Sequence, residues 1–214
     1  MTQTRAVIFD MDGVLVDSEP RHERAFLEVA RETGHGDNHG IRFADYIGRT
    51  DRDLWTEFAA RNRPAQTVEE LLTMKSRHMV EIIRREKPLF RGVSELVRKL
   101  AADFRLGIAS GSDRALVEAV LALDGLAQFF YATVTGSEVA RGKPAPDIFL
   151  RAAELLGVSP GDCWVIEDSK PGVAAGLAAG MKVIAITNTY PASELQNATR
   201  VVGSYGEIGQ LLAA

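Results

Sequence analysis

Asp10 and Asp12 stand two positions apart at the end of the apolar run Ala6-Val7-Ile8-Phe9, and Gly13 follows them. Two carboxylates that close repel each other, and burial would raise their pKa values unless a cation or hydrogen-bond donors compensate. A hard divalent metal with oxygen ligands is the economical explanation. A plainer one has Asp10 capping a helix and Asp12-Gly13 forming an ordinary turn. Further along come Ser110-Gly111-Ser112, Gly142-Lys143-Pro144-Ala145-Pro146 and Glu167-Asp168-Ser169. Each alone has a bland reading: the serines as helix caps, Lys143 as a solvated loop residue, the acids as a cap near Pro171. Together they suit a phosphate held beside Mg²⁺, with Ser110 and backbone N–H groups donating to phosphate oxygens and Lys143 supplying positive charge. The prolines around Lys143 restrict the loop that delivers it.

Groups so far apart in sequence need rigid elements to bring them together. The run from Ala6 to Phe9 has the composition of a fully buried parallel strand. From Gly92 onward helical and strand patterns alternate. Strands are expected over 105–109, 131–135, 163–166, 182–186 and 201–202, and helices over 93–100, 116–123, 147–156 and 173–179, with one more at the end of the chain. Alternation of this kind indicates a parallel sheet covered by helices on both faces. Parallel strands put their carboxyl ends on one edge, where ligands bind, and each candidate group follows such an end.

Residues 19–87 read as helical throughout, with Ser18 and Thr67 as caps, the latter in capping-box spacing with Glu70. Such a segment cannot join the sheet layers. The expected organisation is therefore an α/β core, 1–18 and 88–214, carrying a small inserted α-helical cap domain, 19–87. The loop Gly34 to Gly40 holds His35 and His39, a nominal metal pair, but its glycines favour a mobile surface turn. The basic run Arg84-Arg85-Glu86-Lys87 most simply solvates a helix end and complements its dipole.

The chain of 214 residues is 46% hydrophobic and 25% charged, with a net charge of −4, which offers no basic footprint for nucleic acid. One cysteine, Cys163, excludes an intrachain disulfide and a cysteine-rich zinc site, and its apolar strand setting marks it as an inert buried thiol. The short polar stretch before the first strand and the lack of a membrane-length apolar run lead to the expectation of a cytoplasmic chain without a signal peptide.

At these residues the sequence resembles a known family. Asp10-Met11-Asp12-Gly13-Val14, Ser110, Lys143 and Glu167-Asp168 are similar in type, order and spacing to the motifs of the haloacid dehalogenase-like superfamily, over the whole chain. Asp17-Ser18-Glu19-Pro20 and the helical insert look like its β-phosphoglucomutase-like branch of small phosphatases and mutases. The resemblance implies a Rossmann-like core in which Asp10 attacks phosphorus and forms an aspartyl-phosphate, while Asp12 acts as acid and then base. Lys143 would offset charge. Asp10, the Asp12 carbonyl and Asp168 would hold Mg²⁺, with Glu167 direct or through water. Ser110, Gly111 and Ser112 would bind the phosphate, and His22, Arg49 and Arg52 of the cap would select the substrate.

Asp12 sets the chain apart from the superfamily's dehalogenases, which lack the second acid, and from phosphonatases, which carry a small residue there. His22 falls where the mutase has a cap histidine, but the mutase's cap lysine is Ile47 here, and Gly48-Arg49-Thr50 looks like the phosphatase version. Hydrolysis of a small phosphate monoester, a sugar phosphate or similar metabolite, is therefore expected, by a monomer or weak dimer. A phosphomutase is the alternative. A phosphate-sensing receiver-like module is a third reading, against which stand the helical insert and Gly136-Ser137-Glu138 at the third strand's end.

Overall fold

The computed structural model describes residues 5–46 and 50–213. Contacts divide the chain into two compact units, Met1–Asp17 with Pro88–Ala214, and Ser18–Lys87. The first unit is built on β1 (Ala6–Phe9), β2 (Arg105–Ser110), β3 (Phe130–Thr135), β4 (Cys163–Glu167), β5 (Lys182–Ile186) and β6 (Arg200–Val202). They form one parallel sheet in the order β3-β2-β1-β4-β5-β6. Its inner strands are apolar because both faces are covered, and β1 is buried along its whole length.

The order runs one way from β1 to β3 and the other way from β4 to β6. The change of direction opens a crevice between the carboxyl ends of β1 and β4, the favoured ligand site of such sheets. Register places Phe9 opposite Ile166 and Ile108, so Asp10 emerges beside Glu167 on one side and Ala109 on the other.

The second unit packs α1 (Glu19–Glu32), α2 (Asp51–Asn62) and α3 (Val68–Glu86) around Phe26, Trp55, Phe58 and Leu71. Thr50 and Thr67 each close a reciprocal capping box, with Asp53 and Glu70 respectively. Ser18 precedes α1 but makes no side-chain capping bond, contrary to expectation, because its backbone is already helical. The two loop histidines pack structurally and are not a ligand pair on a mobile turn. His39 is buried with its ring 5.0 Å from Phe26 and its Nδ1 accepting from Ile41 N–H, while His35 contacts the Asn62 carbonyl and Phe58. Glu86 accepts from Arg21 and Arg24, so the end of α3 is paired as well as solvated.

In the first unit α4 (Val93–Leu100), α5 (Arg114–Leu121), α6 (Asp147–Leu156), α7 (Lys170–Ala178) and α8 (Tyr205–Ala213) complete the fold. The helix expected over 116–123 ends at Leu121, and a 3₁₀ segment, Leu123–Phe129, leads into β3, turned by Asp124 and Gly125 at positive φ. Among the described residues no helix is long and apolar enough to cross a membrane.

Candidate active site

β1 hands Asp10 directly into the crevice, and Asp10 N–H stays in the ladder by donating to the Ile166 carbonyl at 2.9 Å. The side chain is thus aimed by the sheet and not by a flexible loop. Lys143 arrives from the segment before α6 with its side chain only 14% exposed. Its Nζ lies 2.5 Å from Asp10 Oδ1, 2.6 Å from Glu167 Oε1 and 3.2 Å from the Ala109 carbonyl. A solvated loop lysine would make none of these contacts.

Glu167 ends β4 and is fully buried. Its Oε2 accepts from the N–H groups of Asp168 and Ser169 and from the Ser169 hydroxyl, each at 2.9 Å. The carboxylate therefore sits under the positive end of α7. Gly172 makes this possible: a Cβ at that position would overlap the Glu167 carboxylate. Ser169, not either acid, caps the helix through Gly172 N–H.

Asp12 turns toward the other wall. Its Oδ2 accepts from Ser112 Oγ at 2.7 Å and, more weakly, from Ser110 Oγ at 3.4 Å. Ser110 Oγ also accepts from Ser112 N–H at 3.0 Å. Neither serine caps α5, because Asp113 does so through Leu116 N–H. Gly111 bridges the two serines beside Gly136, where a Cβ would come within 2.8 Å of the Gly111 carbonyl. Thr135 and Glu138 close a small capping box at the end of β3, and Arg114 joins Glu138 to the Thr133 carbonyl.

Asp10, Glu167 and Asp168 each offer an oxygen within 4.8 Å of the others, all three residues being buried. Burial pushes the Asp10 carboxyl well above the usual carboxylate range; Lys143 pulls it down, and the charges of Glu167, Asp168 and Asp12 push it further up. Burial and then Glu167 raise Asp168 to about 7, against a hydrogen bond from Thr189. Burial disfavours the Lys143 ammonium, yet Asp10 and Glu167 together hold its pKa above the ordinary lysine value. These directions share one cause. Burial and mutual repulsion among acids that share one cation keep the proton on Lys143 and resist full charge on Asp10 and Asp168. A hard divalent cation fits that oxygen-rich, negatively charged pocket.

In the helical unit His22 lines a cavity of about 110 Å³ with Glu19, Phe43, Tyr46, Thr50, Asp51 and Leu54. The buried Lys75 ion-pairs with Asp51 at its rim. Arg52 pairs with Glu69 at 2.6 Å on an exposed surface. Arg49, with Ile47 and Gly48, lies outside the described residues.

The family model of the haloacid dehalogenase-like hydrolases matches residues 4–180. The chain belongs to that family. It is 35% identical over 204 residues to hexitol phosphatase B of Escherichia coli K12, covering 94% of this chain and 89% of that protein. To the β-phosphoglucomutase of Bacillus subtilis 168 it is 31% identical over 194 residues, covering 87% and 85%. The solved structure of CbbY from Rhodobacter sphaeroides in complex with phosphate superposes with a TM-score of 0.84, at 25% identity and 97% coverage of both chains. The protein is thus an enzyme of the haloacid dehalogenase-like hydrolase family.

Sequence reasoning missed Thr189, whose hydroxyl bonds Asp168, along with Asn188 and Tyr205 near Gly13 and Val14. The signal was present. Thr187-Asn188-Thr189 is a polar run at the carboxyl end of another parallel strand, where the same rule applies.

Proposed function

We propose that this protein is a Mg²⁺-dependent phosphatase of a small phosphate monoester, a sugar or polyol phosphate, acting through an aspartyl-phosphate. One observation carries the proposal: the Lys143 ammonium sits 2.5 Å from Asp10 Oδ1 in a crevice that also holds Glu167 and Asp168. Asp10 attacks the substrate phosphorus; its Oδ–P bond forms as the bond to the leaving oxygen breaks. Asp12 in its acid form gives the leaving oxygen a proton. It then takes one from the water whose oxygen displaces Asp10 from phosphorus. Ser110, Ser112 and the amides around Gly111 hold the phosphate oxygens, and Lys143 offsets charge between two anions.

Asp10, the Asp12 carbonyl and Asp168, with Glu167 behind them, would hold Mg²⁺, which supplies further charge neutralisation and orients the phosphate. The helical unit is read as the cap that selects the leaving group. Its pocket is rich in hydrogen-bond acceptors at Glu19, Tyr46, Thr50 and Asp51, which favours hydroxyls over a carboxylate. The hexitol phosphatase relative supports the same class. A monomer or weak dimer in the cytoplasm completes the reading.

Phosphate release from p-nitrophenyl phosphate and from a panel of sugar and polyol phosphates tests the proposal. Release should need Mg²⁺ and vanish in Asp10→Asn; turnover surviving in that variant sinks the mechanism. The β-phosphoglucomutase relative favours a second reading, a phosphomutase. Isomerisation of β-glucose 1-phosphate with a bisphosphate primer, without net phosphate release, would establish it instead.

A further inference from the structure

The loop after β5 takes no part in the chemistry above, yet its side chains reach both acid-bearing segments. Asn188 uses both Nδ2 protons, one on the Gly13 carbonyl at 2.7 Å and one on Tyr205 Oη at 2.8 Å. The Gly13 carbonyl can only accept, so the orientation of the amide is set by its partner. Tyr205 in turn donates to the Val14 carbonyl at 2.6 Å. The neighbouring Thr189 bonds Asp168 Oδ2 through its hydroxyl. Gly13 closes the ring, since a Cβ there would collide with Asp168 Oδ2 and Thr189 Oγ1. Two consecutive residues of one loop thus tie the chain just after Asp12 to the carboxylate of Asp168.

We propose that Asn188, Thr189 and Tyr205 are positioning residues, a clamp that sets the gap between the Asp12 segment and the Asp168 carboxylate and so raises the site's affinity for its divalent cation. The inference rests on the metal-site reading given above. A carboxylate oxygen has lone pairs for both a hydroxyl and an ion, so Thr189 can hold the plane of Asp168 without competing for it. An acid already oriented loses less freedom when it ligates. Tyr205 and Asn188 do the same on the opposite side, adding side-chain bonds at the Gly13 and Val14 carbonyls to the turn that the Val14 and Leu15 N–H groups already close on the Met11 carbonyl.

The test is calorimetric titration of Mn²⁺ into the full-length metal-free chain, with the thermal midpoint of each variant measured without metal. Thr189→Val removes the hydroxyl but keeps the shape, and Tyr205→Phe keeps the ring against Phe90. Each should weaken Mn²⁺ binding about 10- to 100-fold, the usual effect of losing an outer partner of a metal ligand. Thr189→Ser should restore affinity, and the metal-free midpoints should stay close to wild type. Unchanged Mn²⁺ affinity in both variants, or failure of serine to rescue, overturns the clamp. Asp168→Asn separates the two ideas: if it abolishes Mn²⁺ binding while Thr189→Val does not, the metal site stands and the clamp falls. Weakened Mn²⁺ binding in Thr189→Val, together with a wild-type chain that releases no phosphate, upholds the clamp and removes the phosphatase. Should Asp168→Asn bind Mn²⁺ as wild type does, both fall together.

Discussion

Replacing Lys143 with methionine keeps the length of the side chain and deletes the one cation among four acids. The ammonium touches Asp10 Oδ1 at 2.5 Å and Glu167 Oε1 at 2.6 Å, in a pocket where Glu167 is fully buried. Removing one partner of a buried pair leaves an uncompensated charge and costs about 3–5 kcal/mol. With two acids stranded the upper end is expected at pH 8. Asp10 has a remedy at lower pH. Asp10 already binds its proton more tightly than an exposed carboxyl, burial being the main cause, and loss of Lys143 strengthens that hold. A carboxyl whose pKa is raised by folding adds stability below its unfolded pKa and loses it as pH rises through the folded one. The variant should therefore depend more steeply on pH than wild type, with the penalty roughly halved at pH 5.

Urea unfolding in EDTA reads this out. Trp164 lies in β4 and Trp55 in the helical unit, so a Trp55→Phe background leaves an indole that reports on the sheet alone. With a urea slope of about 2 kcal/mol per molar, a loss of about 5 kcal/mol at pH 8 should lower the midpoint by about 2.5 M. A fall under about 0.5 M, or a greater loss at pH 5 than at pH 8, would refute the electrostatic account of the site.

In the metal-free wild type, Asp168 carries a pKa raised to about 7 by burial and Glu167, so stability should fall as pH rises from about 4 to about 7. The loss should approach a few kcal/mol at about 1.4 kcal/mol per unit, and Mg²⁺ should reverse it; a flat urea midpoint across that range counts against the assignment. Gly172→Ala should destabilise the first unit by about 2–4 kcal/mol, because its methyl displaces the buried Glu167 carboxylate from the start of α7; a melting point within a degree of wild type would contradict this. Asp113→Ala, which removes only the cap of α5, should cost about 1 kcal/mol and leave KM unchanged, a control for loop damage beside the serines. Asp12→Asn should lower kcat about 10²- to 10⁴-fold with substrate binding retained, as expected for loss of the acid and base; equal turnover would dismiss that role.

Much of the architecture was legible because burial writes itself into one-dimensional patterns. The run from Ala6 to Phe9, the alternation after Gly92 and the capping box at Thr67 are local signals, and strand direction alone places Asp10, Ser110 and Glu167 on one sheet edge. The weaker readings failed where backbone conformation or packing, neither of them visible in a residue's type and neighbours, decides. Ser18 has the composition of a cap and does not act as one, since its backbone dihedrals had to be known first. The histidines of the Gly34 to Gly40 loop suggested exposure by their glycine neighbours, yet His39 is buried against Phe26, which only packing decides.

What residue types and order determined by themselves was the chemistry available: acids, hydroxyls and one lysine at the carboxyl ends of buried strands. A strand's apolar composition and its polar terminus are properties of a few neighbouring residues. Only tertiary structure decided which acid meets which donor. Lys143 reaches across 133 positions to Asp10, Glu167 turns under α7 because residue 172 has no side chain, and Thr189 finds Asp168 from the loop after the neighbouring strand. Those pairings are set by sheet order and by contact distances of a few ångströms, and no local pattern in the chain encodes them.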